Sequence, residues 1–178
     1  HINNYELSAM AAYSGVLARS IGSTSGWVTT EQLERALRPV SYFLAKPGLV
    51  VLENTHNLKG GTIYPQDQAN GVVDFAHSKD IPVHLDGARV TNAAAATGRS
   101  LSDLVSNFDS AMLTFSKGLG CPAGSVLVGP KPFIEEARIV RKRMGGGMRQ
   151  VGILAAACLY ALEHNLKRLV EDHERARK

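Results

Sequence analysis

The sequence predicts an α/β protein, a mostly parallel sheet flanked by helices, and three observations predict it. A strand, a helix and a second strand follow one another between residues 49 and 86, which is the βαβ unit that joins parallel neighbours. Leu49-Val50-Val51-Leu52 is a continuous apolar run rather than an alternating one, so both faces of that strand are covered and parallel packing is implied. The last third of the chain is almost entirely of helical character, which supplies the covering layer.

Taken in order, Trp27 to Leu37 contains a helix start. Thr29 stands where a cap belongs and Gln32 follows three residues later, the reciprocal capping-box spacing. That helix ends near Pro39. Leu49-Val50-Val51-Leu52 then reads as a buried strand, running into Glu53-Asn54-Thr55. Gln66 to Lys79 carries Val72, Val73 and Ala76 at helical spacing, and Ile81 to Asp86 is a second strand closed by Gly87. A short helix around Ser102 to Ser106 leads to a third strand, Ala111 to Phe115, and to the turn Gly118-Leu119-Gly120. Ser125 to Gly129 is a fourth strand. The link from the third is too short for a helical crossover, which predicts antiparallel pairing there. Helices follow from Pro132 to about Met144 and, after Gly145-Gly146-Gly147, from about Val151 through Leu166.

With 44% hydrophobic and 20% charged residues in 178, the composition is that of a packed domain and not of a disordered chain. The net charge is +4 (20 basic, 16 acidic). That bias suits an anionic ligand. It gives no support for nucleic acid, because the basic clusters lack interleaved aromatics and the last alternates with Glu171, Asp172 and Glu174. Cys121 and Cys158 are the two cysteines, and their settings suggest neither a disulfide staple nor a metal site. No stretch reaches the roughly 18 apolar residues that span a bilayer, so the reading expects no membrane partner and a reducing, cytoplasmic setting. The chain opens at His1 and closes inside a charged helical pattern, and the expectation is a piece of a longer protein, cut at both ends.

In a parallel sheet the polar residues that end buried strands are displayed at the rim where ligands bind. Glu53, Asp86 and Lys117 occupy such positions. Asp86 lies in His84-Leu85-Asp86-Gly87-Ala88-Arg89, where a carboxylate and a guanidinium three residues apart can grip a zwitterion; the plainer reading is a helix cap with a local ion pair. Lys117 follows an apolar strand and precedes glycines that permit close backbone approach. Desolvation at such a site favours the neutral amine needed for Schiff-base chemistry, whereas the plainer reading is a lysine extending to water. Together they match a specific need: a pyridoxal phosphate (PLP) enzyme requires a lysine for the cofactor aldehyde and an anion for its pyridine nitrogen.

Four segments then stand in order: Leu52-Glu53-Asn54-Thr55-His56-Asn57, His84 to Arg89, Ser116-Lys117-Gly118-Leu119-Gly120, and Gly145-Gly146-Gly147-Met148-Arg149-Gln150. Their order and spacing resemble the low-specificity L-threonine aldolases, in the β-eliminating lyase/threonine aldolase family of fold type I, aminotransferase-like PLP enzymes. The resemblance runs over nearly the whole chain. It implies that Lys117 is the Schiff-base lysine, Asp86 the partner of the pyridinium nitrogen and Arg89 the clamp on the substrate carboxylate. It further implies that His1 stacks over the cofactor ring and helps remove the β-hydroxyl proton, and that Arg149 lies near the cofactor phosphate, reaching across a subunit interface. His56 and His84 belong to the matching motifs, with turn and core roles as their plainer readings. Phe43 stands where the family usually has a second substrate-side histidine, which bears on substrate preference or rate. The family's phosphate loop and small carboxyl-terminal domain lie outside residues 1–178, so the chain is expected to be part of the PLP-binding large domain.

The function this implies is retro-aldol cleavage of L-threonine, L-allo-threonine and related β-hydroxy-α-amino acids to glycine and an aldehyde, by a homodimer or homotetramer with a large apolar surface to cover. The competitors are another PLP β-eliminating or aminotransferase-like reaction and a non-catalytic assembly module. An unrelated nucleotide-binding domain is disfavoured, since no glycine-rich fingerprint follows a first strand.

Overall fold

The structure, a computed structural model, describes residues 1–39 and 41–178. It has the α/β class expected, with a mostly parallel four-stranded sheet and flanking helices. The chain divides into two compact units, His1–Val83 and His84–Lys178.

The first unit holds α1 (Ile2–Tyr5), α2 (Ala9–Ser14), α3 (Thr30–Ala36), β1 (Val50–Glu53) and α4 (Gln66–His77). The predicted capping box starts α3: the Gln32 N–H donates to Thr29 Oγ1 (3.3 Å) and the Thr29 N–H to Gln32 Oε1 (2.9 Å), satisfying two amide donors that an uncapped helix start leaves open. Val72, Val73 and Ala76 form the apolar stripe of α4, as their spacing predicts, and are buried beside Leu33, Leu52 and Tyr64 in the core of this unit. Tyr64 ties its loop down twice, donating its hydroxyl to the Val28 carbonyl and its N–H to Asn54 Oδ1 (3.2 Å). The Val50 N–H donates to the Pro82 carbonyl (3.0 Å), which lays β1 beside the segment leading to the next strand.

That strand, β2 (Val83–Gly87), opens the second unit, followed by α5 (Val90–Thr97), α6 (Leu101–Val105), β3 (Ser110–Thr114), β4 (Ser125–Val128), α7 (Lys131–Arg143), α8 (Gly152–His164) and α9 (Leu169–Ala176). β2 and β3 are parallel, with Asp86 opposite Met112 and Gly87 opposite Leu113. β3 and β4 are antiparallel, with Thr114 opposite Ser125, as the short connection requires. The strand predicted from Ile81 begins at Val83 instead: the Ile81 N–H bonds the Ala76 carbonyl (3.0 Å), so Ile81 closes the turn after α4. The sequence reading passed over α5. Its segment Val-Thr-Asn-Ala-Ala-Ala-Ala-Thr has no polar face to set a helical period; burial of Val90, Ala93 and Ala94 holds it, and Gly98, at φ +69°, ends it.

A compact cluster of Phe115, Leu119, Cys121, Ala161 and Leu169 fixes the turn after β3 against α8 and α9. β4 is exposed at all four positions, and α8 exposes Ile153, Leu159, Tyr160 and Leu162. That is the large apolar surface expected from the sequence.

Candidate active site

Parallel pairing has one consequence that decides where chemistry can happen: the carboxyl ends of β2 and β3 share a rim. Asp86 is the penultimate residue of β2 and only 8% exposed. Its Oδ1 accepts the Ala88 N–H (3.1 Å), a turn contact that fixes the carboxylate's direction. The capping alternative fails, because the N-cap of α5 is Arg89, whose carbonyl accepts the Asn92 and Ala93 amides. Arg89 is half-buried at the start of that helix. Gly87 lets the two strands meet: a Cβ there would lie 2.5 Å from the Met112 carbonyl oxygen.

Lys117 lies three residues beyond β3 on the same rim, in a turn whose backbone is closed on itself. The Phe115 N–H donates to the Gly124 carbonyl (3.0 Å), the Cys121 N–H to the Phe115 carbonyl (3.1 Å) and the Gly120 N–H to the Lys117 carbonyl (2.9 Å). Gly120 adopts φ +72°, a conformation natural to glycine. Leu119 is fully buried, and Asn165 Nδ2 donates to its carbonyl (2.9 Å). The backbone of Lys117 is therefore anchored while its side chain is exposed. The desolvation expected for its amine is not supplied by the described residues of this chain.

His84 is the satisfied core histidine of the plainer reading. Its Nδ1 lies 2.8 Å from Ser110 Oγ, its register partner across the strand pair. Burial holds its pKa below the ordinary histidine value, and the nearby Asp86 charge opposes that shift. Arg149 is exposed in the link between α7 and α8. The preceding glycines end α7, with the Gly146 N–H on the Arg141 carbonyl (2.8 Å).

The first unit carries its own polar group. His1 begins α1, its ring stacked on Tyr5 (5.3 Å between centroids) and its Nε2 3.5 Å from Glu6 Oε1. Glu53, at the end of β1, accepts the Asn57 N–H at Oε1 (3.1 Å). His56 is a turn residue as read: its N–H bonds the Thr62 carbonyl (2.9 Å) and its carbonyl accepts the Gly61 N–H (3.0 Å). His1 Nδ1, Glu53 Oε2 and His56 Nδ1 are all buried without a hydrogen-bond partner among the described residues. Such atoms are scarce in folded proteins and attract a functional account. The sequence singled out Glu53 as a rim residue but assigned it no role; the signal was its place after an unbroken apolar strand. Phe43 is largely exposed and edge-on to Tyr42 (5.1 Å, 85°).

The family model of the beta-eliminating lyases matches residues 1–178. The chain belongs to that family. Within it, the chain is 41% identical over 180 residues to low-specificity L-threonine aldolase 1 of Arabidopsis thaliana, covering 99% of this chain and 50% of that protein. It is 38% identical over 173 residues to the low specificity L-threonine aldolase of Escherichia coli K12, covering 97% of this chain and 51% of that protein. This beta-eliminating lyase chain thus spans about half the length of the curated relatives it matches. The fold is shared with the solved Leishmania major threonine aldolase, at a TM-score of 0.81 and 22% identity over 96% of this chain and 49% of that one.

Proposed function

We propose that this chain is part of the cofactor-binding large domain of a PLP-dependent aldehyde-lyase that cleaves L-threonine, L-allo-threonine and related β-hydroxy-α-amino acids to glycine and an aldehyde, acetaldehyde in the case of threonine. The observation that carries the reading is the rim common to the buried Asp86 and the anchored Lys117 turn. The residues present suit the cofactor: a buried carboxylate for a cationic ring nitrogen, a lysine on a rigid backbone for an aldehyde, and an arginine at the start of the helix that follows Asp86 for a carboxylate.

When bound, PLP supplies the electron sink that takes up the pair released as the Cα–Cβ bond breaks. On this reading Lys117 Nζ would hold the cofactor covalently through its aldehyde. Asp86, through its negative charge, keeps a proton on the ring nitrogen. Arg89 would grip the substrate carboxylate with its planar fork of donors, and His1, in the role the family resemblance implies, would take the β-hydroxyl proton at an imidazole nitrogen. Arg149 serves the phosphate across a subunit boundary, in a cytoplasmic homodimer or homotetramer. The exposed apolar residues of β4 and α8 support that assembly, with the phosphate loop and small domain contributed from outside residues 1–178.

The test is Lys117→Ala in the full-length protein. Cofactor-dependent visible absorption and turnover of threonine are both expected to vanish; an unchanged spectrum removes Lys117 from its role. Product analysis of the unaltered protein decides the reaction, since glycine plus acetaldehyde supports it and pyruvate plus ammonia overturns it in favour of β-elimination.

A further inference from the structure

The two cysteines are 37 positions apart in sequence but face each other in the second unit, in a reciprocal arrangement. Cys121 Sγ donates to the carbonyl of Ala157, the neighbour of Cys158 (3.5 Å), and Cys158 Sγ donates to the carbonyl of Ala123, two residues from Cys121 (3.8 Å). Each thiol thus sits against the backbone that carries the other. Both are free, and both pack in the apolar cluster under the Lys117 turn. Gly124 leaves the room: a Cβ there would stand 3.3 Å from Cys158 Sγ.

We propose that Cys121 and Cys158 form a reversible disulfide that locks the Lys117 turn onto α8 when the protein meets a peroxide. This inference is independent of which reaction the protein catalyses. The sequence reading saw no staple here, because one cysteine follows a turn and the other lies in a helix. Only the packing of α8 beneath that turn brings them together.

The differing exposure of the two thiols sets the order of events. Cys158 is half-buried and Cys121 is only 8% exposed, so Cys158 meets the oxidant first. Its thiolate attacks the peroxide, the O–O bond breaks, and Cys158 becomes a sulfenic acid as one water leaves. The Cys121 sulfur then attacks the Cys158 sulfur; the S–S bond forms, the S–O bond breaks and a second water leaves. Two thiols are oxidised and one hydrogen peroxide is reduced to two waters. Burial, with the hydrogen bond and charge of Cys158, pushes the Cys121 thiol up, which keeps it protonated and out of the first step; in the second, its proton leaves with the sulfenic oxygen as water. Cys121 forms its bond only once its partner has become an electrophile. The closed bond ties residue 121, four positions after Lys117, to the middle of α8, reinforcing with a covalent link what the apolar cluster already holds.

The experiment uses the full-length protein under native conditions, treated with hydrogen peroxide, then denatured, alkylated and digested. The expected result is a Cys121–Cys158 cross-linked peptide lighter by two hydrogen atoms and restored by dithiothreitol, with amide exchange over residues 115–124 slowed severalfold in the oxidised form. Cys121→Ser is expected to leave Cys158 as a sulfenic acid trapped by dimedone, and Cys158→Ser to leave Cys121 unmodified. Alkylation of both cysteines after peroxide, or sulfinic acid at Cys158 without the cross-link, overturns the proposal. Exchange that is unchanged or faster in the cross-linked form overturns the locking.

Discussion

β2 and β4 are both short strands, and β4 (Ser-Val-Leu-Val) is the more aliphatic of the two, yet β2 is buried at four of its five positions and β4 at none. The same contrast separates α4, whose Val72, Val73 and Ala76 are buried, from α8, which is more apolar in sequence and buries Ala161 but exposes Ile153, Leu159, Tyr160 and Leu162. An apolar segment states that its surface must leave water; it does not state which partner removes it. β2 and α4 find theirs within the described chain. A helix apolar on nearly all sides, such as α8, is the kind found inside a larger body.

Four measurements sharpen or break that contrast. Leu85→Ala in β2, at a site 1% exposed, is expected to cost about 2–5 kcal/mol, the range for emptying a packed core site, read from the denaturant midpoint. Gly87→Ala is expected to cost about 1–3 kcal/mol by overpacking, since the new Cβ would stand 2.5 Å from a backbone oxygen that cannot swing aside.

His84 gives the next effect. Its folded pKa lies below the ordinary value of 6.5, through burial first and against the pull of Asp86, so as pH falls the unfolded chain takes up the proton before the folded one. Stability is therefore complete above about pH 6.5 and declines as pH drops below it toward the folded pKa. The slope stays under about 1.4 kcal/mol per pH unit, the ceiling for one proton, and solvent screening of this half-buried ring reduces it further. His84→Gln should flatten that limb in a pH series of thermal melts. The smallest effect is expected from Leu159→Gln, within about 0.5 kcal/mol in residues 1–178 alone, as for a surface site. In the full-length protein the same change should shift the oligomer toward smaller species on size-exclusion chromatography. A loss in the isolated chain as large as that of Leu85→Ala would show that α8 is already covered there.

Local chemistry was legible where it was self-contained. The Thr29–Gln32 box is visible in four residues and forms as read; a second box, Ser100 with Asp103, starts α6 by the same geometry (3.0 and 3.2 Å). The antiparallel β4 followed from loop length. The places of Asp86 and Lys117 at one rim followed from the direction of parallel strands. Harder to read were the features that need a partner remote in sequence. Helix α5 depends on burial rather than on periodicity, and the Nδ1 atoms of His1 and His56, without a hydrogen-bond partner among the described residues, depend on what packs around them.

The sequence by itself determined the order of the four strands, the helix start at Thr29 and the rim residues, because caps, short loops and runs of apolar residues are settled within a few residues of each other. Only the tertiary structure decided that the Lys117 backbone is pinned while its side chain stays exposed. It alone decided that Gly87 is required by the Met112 carbonyl, and that Cys121 faces Cys158. Burial and close contact are properties of two surfaces that meet, and each stretch of sequence describes one of them.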